Sequence, residues 1–292
     1  MLRGRGRTRG FEPAAPCGRH CQTSRAKGML AIKEARSMET LIVGDVHLRT
    51  EWVLPAIDDV LAGHPAVGRV VFTGDFCDEW NARPQTMRNG ICTLVRWVEA
   101  RRSQGLSVDL AFGNHDFQYL LGEQGPGTHM TLIPFVREML FPLGLRMAHV
   151  VDGFLVTHAG LTGIWANEYL SRPATAEEAA YQLNAMLDEG SLRTLYKLHA
   201  CGRGRGGREV PGPLWADRQE LIRDPCPAFN QIVGHSPLRR ITRERVFAKG
   251  SDGTRRAVVL WFCDTFSRLP NGRAIGNGSM LLMANGKGVP VP

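Results

Sequence analysis

The stretch TLIVGDVH, residues 40–47, contains the pattern from which the fold of this chain can be predicted. Residues 40–43 form a short, mostly apolar and β-branched run, which is typical of a buried β-strand. The run ends at Gly44, a residue type that allows a tight backbone turn, and Asp45 and His47 follow at once. The stretch therefore predicts a buried strand whose carboxyl end carries polar side chains.

Similar apolar runs recur along the chain and are separated by longer, periodic stretches. The predicted strands are residues 40–43, 70–73, 108–112, 154–157, 231–233 and 258–262. Helices are predicted between them at residues 52–61, 86–102 and 174–198. Strands that alternate with helices predict an α/β fold in which helices cover the sheets.

Polar residues stand beside glycine at the ends of five predicted strands. The segments are GDVH (44–47), GDFCD (74–78), GNHD (113–116), THAG (157–160) and GHSP (234–237). Alone, each is a weak signal, because an aspartate often caps a helix and a histidine is often an ordinary polar residue. Ligands bind beyond the carboxyl ends of strands in α/β sheets, so we expect the segments to converge on one crevice. The side chains expected there are Asp45, His47, Asp75, Asn114, His158 and His235.

This set of six side chains predicts a metal site. Buried carboxylates without compensation are costly, and a pair of divalent cations would compensate them. Imidazole and carboxylate ligands without a thiolate suit Mn, Fe, Co, Ni or Zn better than Ca. We expect two divalent metal ions, with Mn favoured.

The net charge of +8 is concentrated at the amino terminus. Residues 1–38 hold nine Lys and Arg and two acidic residues, so the remaining chain carries only about +1. Their Gly- and Arg-rich composition predicts a disordered basic tail. The tail resembles Arg-Gly repeats that bind RNA loosely; alternatively, it is inert, or it precedes a true start at Met29 or Met38. Nucleic acid is therefore expected as a partner only through this tail.

The cysteines and the apolar runs indicate the cellular setting. The seven cysteines are odd in number, scattered and without a C-x-x-C pair, which argues against a disulfide framework or a zinc knuckle. A reducing cytoplasm is therefore the expected location. No apolar run approaches the roughly 18 residues that a membrane span needs, so no membrane partner is expected.

The ordered segments GDVH, GDFCD, GNHD, THAG and GHSP resemble those of the calcineurin-like metallophosphoesterase superfamily. Within it, the chain is most similar to the phosphoprotein phosphatase branch and its bacterial relatives, including symmetrical diadenosine tetraphosphate hydrolases. GPLWAD (212–217) and CDT (263–265) extend the similarity over residues 39–285. The resemblance implies a two-sheet sandwich flanked by helices, as a single domain over 39–292, with a helical insertion at about 162–198.

The resemblance also implies roles for individual residues. Asp45 and His47 would bind one metal ion, Asp75 would bridge both, and the other three ligands would complete the second site. Water activated between the ions would attack the phosphorus. His115 would protonate the leaving-group oxygen, and Asp78 would hold its other ring nitrogen.

The chain departs from the family pattern at two positions. Glu79 stands where phosphoprotein phosphatases have an arginine that grips the substrate phosphate, and Phe266 stands where a glycine usually follows Thr265. A carboxylate would repel phosphate, so another cation is expected to replace that arginine. Arg205 or Arg208, in the loop GRGRGGR (202–208), is the candidate; the alternative is that this loop is a solvated linker.

The function that these features predict is a metal-dependent phosphatase. A phosphoserine or phosphothreonine protein is the first substrate class expected, and diadenosine tetraphosphate or another nucleotide is the second. A nuclease is a third possibility. A hypothesis of another class is a nucleic-acid-binding protein built on a degenerate phosphoesterase fold, which the intact set of ligands disfavours.

Overall fold

The computed structural model describes residues 38–250 and 253–292, so the predicted tail lies outside the described residues except for Met38. The strands are β1 (Glu39–Val43), β2 (Val67–Phe72), β3 (Ser107–Leu110), β4 (His149–Val151), β5 (Phe154–Val156), β6 (Asn230–Val233), β7 (Thr242–Lys249), β8 (Arg255–Phe262), β9 (Met280–Ala284) and β10 (Lys287–Val291). The α-helices are α1 (Thr50–Gly63), α2 (Pro84–Ser103), α3 (Asn114–Leu121), α4 (Ile133–Met139), α5 (Gly163–Tyr169), α6 (Ala176–Glu189), α7 (Leu192–Leu198) and α8 (Arg218–Arg223).

These strands form two five-stranded sheets, in the orders β10-β9-β1-β2-β3 and β4-β5-β6-β8-β7. In the first sheet β1, β2 and β3 are parallel, and in the second β5, β6 and β8 are parallel. The remaining strands pair antiparallel, namely β9 and β10 in the first sheet and β4 and β7 in the second. The predicted α/β class and two-sheet architecture are confirmed.

The core between the sheets is built from the alternating side chains of the inner strands. Ile42 and Val71 of the first sheet pack in one buried cluster with Val156 and Ile232 of the second. On the outer face of the first sheet, Ile57 of α1 joins the larger core cluster that covers this sheet. Each such side chain stabilises the fold by roughly 1.5–3 kcal/mol relative to an exposed position. The packing therefore fixes the two sheets face to face.

The helical segment after β5 differs from the prediction of one helix over residues 174–198. Gly190 has a φ of 67° and ends α6, and the side chain of Ser191 accepts a hydrogen bond from Thr194 N at the start of α7. A left-handed glycine followed by a serine cap stops one helix and starts another. Residues 174–198 thus form two helices.

Two further expectations concern cysteines and membranes. Cys77, Cys92, Cys201, Cys226 and Cys263 of the described chain are free thiols. Within the described ranges, no helix has both the length and the apolar character needed to cross a membrane.

Candidate metal centre and active site

The six predicted ligands meet at the carboxyl ends of the parallel strands of both sheets. His47 Nε2 lies 3.5 Å from Asp75 Oδ2, and His158 Nε2 lies 3.4 Å from the same oxygen. His158 Nε2 is also 2.9 Å from Asn114 Oδ1 and 3.0 Å from His235 Nδ1. Asp75 therefore lies between His47 on one side and His158, Asn114 and His235 on the other; the family resemblance implies a bridging role for it.

Asp45 completes this cluster from the end of β1. Its Oδ2 is 4.0 Å from His47 Nε2, and its Oδ1 is 4.0 Å from His158 Nδ1. The backbone N–H of His235 donates to both carboxylate oxygens, at 3.1 and 3.0 Å. Two residues separated by 190 positions in the sequence are thus joined directly, through a backbone N–H and a carboxylate.

The glycines of the sequence pattern are needed for these close approaches. A Cβ atom on Gly113 would lie 2.0 Å from Asp75 Oδ1, and one on Gly234 would lie 2.2 Å from Asp45 Oδ1. Any side chain at either position would collide with a carboxylate of the cluster. At these two positions glycine is therefore a packing requirement of the site.

Several site residues also have unusual backbone conformations. Positive φ angles occur at His47 (44°), Asp75 (55°), Asp78 (62°) and His235 (63°). A left-handed conformation is unfavourable for residues with a side chain and persists where surrounding contacts enforce it. These turns point the side chains away from their strands and into the shared crevice.

The carboxylates of the site are buried among one another. Asp45, Asp75, Asp116 and Asp264 are each at most 2% exposed. Burial, followed by repulsion from Asp264 and Asp75, holds the pKa of Asp45 well above its usual value. Burial and repulsion from Asp116 do the same to the pKa of Asp75. This concentration of carboxylates favours a cation in the crevice, since a cation would offset their repulsion.

The histidines have the protonation state that metal ligation requires. Burial lowers the pKa of His158 to about 3, and it lowers the pKa values of His47 and His235 well below the ordinary value. His47 Nδ1 lies 3.1 Å from Asp78 O, and His158 Nδ1 lies 2.9 Å from Thr73 O. A carbonyl only accepts, so each Nδ1 carries the proton and donates it. Both Nε2 lone pairs therefore face Asp75 Oδ2.

The spacing of the nitrogen and oxygen atoms in this crevice shows whether metal ions would fit there. Around His158 Nε2 lie oxygens of Asp75 and Asn114 and a ring nitrogen of His235. His235 Nε2 is buried without a hydrogen-bond partner. Metal–ligand bonds of about 2.0–2.2 Å place neighbouring ligand atoms about 3 Å apart, close to these separations. Two groups of side chains could hold an ion: His47, Asp75 and His115, and Asp75, His158 and His235.

The predicted catalytic pair lies at the edge of the same crevice. His115 Nδ1 is 3.0 Å from Asp78 Oδ2, and Tyr119 Oη donates to Asp78 Oδ1 at 2.7 Å. The backbone N–H of His115 donates to Asp75 Oδ1 at 2.9 Å. Asp78 is 2% exposed, and both Asp78 and His115 line the cavity that opens from the cluster. The His115 ring is thus held at the cavity by the carboxylate of Asp78.

The two arginines predicted to bind substrate lie in different environments. Arg205 lines the cavity, where its Nη2 donates to Ser236 Oγ at 2.8 Å and its Nε lies 3.3 Å from Asp217 Oδ2. Arg208 is exposed and does not line that cavity. Of the two, the structure brings only Arg205 to the metal cluster.

Glu79, the residue that departs from the family pattern, is paired with Arg49. Arg49 Nε donates to Glu79 Oε2 at 2.5 Å, and its Nη1 donates to Phe266 O at 2.8 Å. Arg49 is 8% exposed, and both residues of the pair line the cavity. Arg49, just before α1, is thus a second candidate for the cation expected to replace the missing arginine, and the sequence pattern did not point to it.

Sequence reasoning also missed two buried carboxylates as functional residues. Asp116 accepts backbone hydrogen bonds from Phe76, Cys77 and Gly113, and it thereby ties two of the loops together. Asp264, at the end of β8, accepts from Ser267 Oγ. Burial raises the pKa of each to about 6. Asp116 stands in the segment GNHD and Asp264 in the segment CDT, and each segment follows a predicted strand. This position at a strand end was the sequence signal that could have identified them.

A sequence model of the calcineurin-like phosphoesterase family matches residues 38–256, and the chain belongs to this family. The predicted family resemblance is confirmed, and membership indicates a hydrolase that acts on phosphate esters. Members of the family normally use divalent metals, in agreement with the groups of ligands described above. No curated protein sequence matches the chain.

Solved structures resemble the chain only distantly. The cold-active protein-tyrosine phosphatase of a psychrophilic Shewanella species is 17% identical, with a TM-score of 0.48 over 87% of this chain and 77% of that one. The Pseudomonas putida nuclease MPE is 17% identical, with a TM-score of 0.33 over 86% and 87%. A dimetal phosphatase from Danio rerio is 14% identical, with a TM-score of 0.35 over 87% and 96%.

Proposed function

We propose that this protein is a phosphatase that hydrolyses phosphate monoesters with the help of two divalent metal ions, Mn being favoured. One observation carries the proposal: the Nε2 lone pairs of His47 and His158 both face Asp75 Oδ2, at 3.5 and 3.4 Å. A nitrogen lone pair and a carboxylate oxygen repel one another unless a proton or a cation lies between them, and a single proton on Asp75 could serve only one of the two nitrogens. A cation on each side of Asp75 would remove that repulsion.

The ligands would be Asp45, His47 and Asp75 for one ion and Asp75, Asn114, His158 and His235 for the other. When bound, such ions lower the pKa of a water molecule and offset charge on the phosphoryl oxygens. The protein supplies orientation: the carbonyls of Thr73 and Asp78 fix the imidazoles of His158 and His47 in the required tautomer.

His115 would act as the general acid. Its Nδ1 is held by Asp78, so its Nε2 can carry the proton that the leaving-group oxygen needs. Tyr119 donates to the second oxygen of Asp78 and fixes this carboxylate in place. The proton would pass from His115 Nε2 to the ester oxygen as the phosphorus–oxygen bond breaks.

Arg49 and Arg205 would bind the phosphoryl group from the cavity wall. Each guanidinium is anchored by a carboxylate, Arg49 by Glu79 and Arg205 by Asp217. Anchoring fixes the planar group and lowers the entropy lost when it binds an anion. Glu79 then serves as a positioning residue, and Arg49 takes over the task that the family assigns to an arginine at that position.

The test is a set of substrates assayed with Mn²⁺ on enzyme treated first with a chelator. p-Nitrophenyl phosphate and a phosphoserine peptide represent monoesters, diadenosine tetraphosphate represents the anhydride alternative, and bis(p-nitrophenyl) phosphate represents nucleases. We expect Mn-dependent turnover of monoesters, at least 10³-fold lower in Asp75→Asn, which removes the proposed bridging carboxylate. Hydrolysis that needs no metal, or that Asp75→Asn leaves intact, would refute the proposal.

A further inference from the structure

The cavity that opens from the metal ligands has a volume of about 350 Å³. Its floor is polar, with His47, Asp75 and His115 among its residues. The rest of its wall includes six apolar residues, Trp80, Pro126, Trp215, Leu269, Pro270 and Ile275, together with polar ones such as Ser267 and Arg268. A cavity of this size can hold a small-molecule group next to a bound phosphoryl group.

Trp80 is the unusual member of this wall because it is 61% exposed. The side chain is nevertheless fixed, since its Nε1 donates to Arg268 O at 3.1 Å. Its backbone N–H donates to Glu79 Oε1 at 2.8 Å, which links it to the pair that anchors Arg49. The one polar atom of the indole is therefore already satisfied, and the atoms left to contact a ligand are those of the flat ring.

We propose that this wall is a binding subsite for an aromatic ring carried by the leaving group of the substrate, with Trp80 as the residue that stacks on it. The subsite rests on the proposed phosphatase function and narrows its substrate class to aryl phosphates and nucleotides. An exposed tryptophan held in one orientation offers a large contact area at little entropic cost. Stacking does not need matched hydrogen bonds, so Trp80 could stack on a phenyl ring or on a nucleobase in the same way.

This inference runs against the phosphoserine substrate expected from the family resemblance. The leaving group of phosphoserine is a short alkyl alcohol on a polar peptide backbone, which would leave the apolar wall uncovered. An aromatic leaving group would bury that wall while its phosphoryl group reached the cluster around Asp75. The burial of both surfaces gives the aromatic substrate the larger binding energy.

The experiment compares pairs of substrates in which only one member carries an aromatic ring on its leaving group. Adenosine 5′-monophosphate and ribose 5-phosphate share a primary alcohol and differ in the base. Phenyl phosphate and cyclohexyl phosphate test the aryl source in the same way. For each pair, the kcat/KM of the aromatic substrate is divided by that of its non-aromatic partner. This ratio is measured in the wild type and in Trp80→Leu, Trp80→Phe and Phe247→Leu. Because every variant is compared on the same two substrates, differences in leaving-group chemistry cancel.

Trp80→Leu is expected to lower the ratio about tenfold for at least one pair, because leucine keeps apolar contact but loses the stacking ring. Trp80→Phe, which restores a ring, is expected to recover most of the ratio. Phe247→Leu is the matched control, since Phe247 is a 58% exposed aromatic residue on β7 that does not line the cavity.

Each outcome has a definite meaning. A response of the nucleotide pair alone identifies a nucleobase, and a response of the phenyl pair alone identifies an aryl ester. A ratio that Trp80→Leu leaves unchanged overturns the subsite while the phosphatase function stands. If the ratio falls in Trp80→Leu and stays equally low in Trp80→Phe, stacking is also overturned. If no substrate is hydrolysed with Mn²⁺, the phosphatase function fails and the subsite fails with it.

Discussion

The substitution Asp264→Asn should stabilise the metal-free protein, and it should do so more strongly as the pH rises. Asp264 is fully buried at the end of β8, and burial raises its pKa to about 6. The folded state therefore binds its proton more tightly than the unfolded chain does, where the pKa is 3.8. A raised carboxyl pKa means that stability is highest below pH 3.8 and is lost as the pH rises through 6.

The size of the effect follows from the difference between the two pKa values. A pKa of about 6 in the folded protein against 3.8 in the unfolded chain corresponds to about 3 kcal/mol of destabilisation once the group is fully charged. Close to half of this destabilisation develops between pH 5 and pH 8. Asparagine carries no charge, so the variant avoids this loss. The charge of Asp264 also raises the pKa values of Asp45 and Asp75, so its removal adds stabilisation of the same sign.

The assay is urea unfolding of chelator-treated protein at pH 5 and pH 8, followed by circular dichroism. The free energy of unfolding of Asp264→Asn minus that of the wild type should increase by roughly 1 kcal/mol or more between the two pH values. Asp152→Asn, in an exposed turn, is the control for the substitution itself. With saturating Mn²⁺ the advantage of the variant should shrink, since cations offset the buried charge. A difference that is constant or decreases with pH would refute the reasoning.

Three further predictions concern catalysis. His115→Asn should slow hydrolysis of alkyl phosphates about 10²–10⁴-fold, because their leaving alcohol needs a proton. Hydrolysis of p-nitrophenyl phosphate should slow much less, because nitrophenolate leaves without protonation. The amount of bound Mn, measured by elemental analysis, should stay the same. Arg205→Ala should raise KM about tenfold, whereas the exposed Arg208→Ala should leave kcat and KM within about twofold. Glu79→Arg should lower kcat/KM rather than restore a family-like site, because Arg49 loses its carboxylate partner; an increase would contradict the role given to Arg49.

The meeting of the six ligands could be predicted from the sequence because two general rules determine it. Short apolar runs indicate buried strands, and the carboxyl ends of strands in α/β folds face the ligand crevice. Asp45, Asp75 and Asn114 follow β1, β2 and β3, and His158 and His235 follow β5 and β6. Their convergence needs these strands to be parallel within each sheet and the two sheets to pack with the carboxyl ends of these strands at the same edge, as the structure shows.

Contacts that depend on loop geometry could not be predicted in this way. The break between α6 and α7 depends on the left-handed conformation of Gly190, and the periodicity of apolar residues continues through it. Arg49 and Phe266 are 217 positions apart, and no strand-end rule relates them. Outer strands such as β4 and β10 are short or mostly exposed, so they lack the apolar run that marks an inner strand.

The two departures from the family pattern are parts of a single arrangement around Arg49. Glu79 would repel a phosphate if it stood alone, but its carboxylate receives Arg49 Nε, and the carbonyl of Phe266 receives Nη1. The ring of Phe266 packs edge-on against Trp52, at 5.1 Å, in the first turn of the helix that follows Arg49. Glu79 thus anchors the guanidinium of Arg49. Phe266 supplies a second acceptor through its carbonyl and packs through its ring against the helix beside Arg49. Residues from three different loops thus hold a positive charge on the cavity wall, although the position that resembles the arginine of phosphoprotein phosphatases is acidic in this chain.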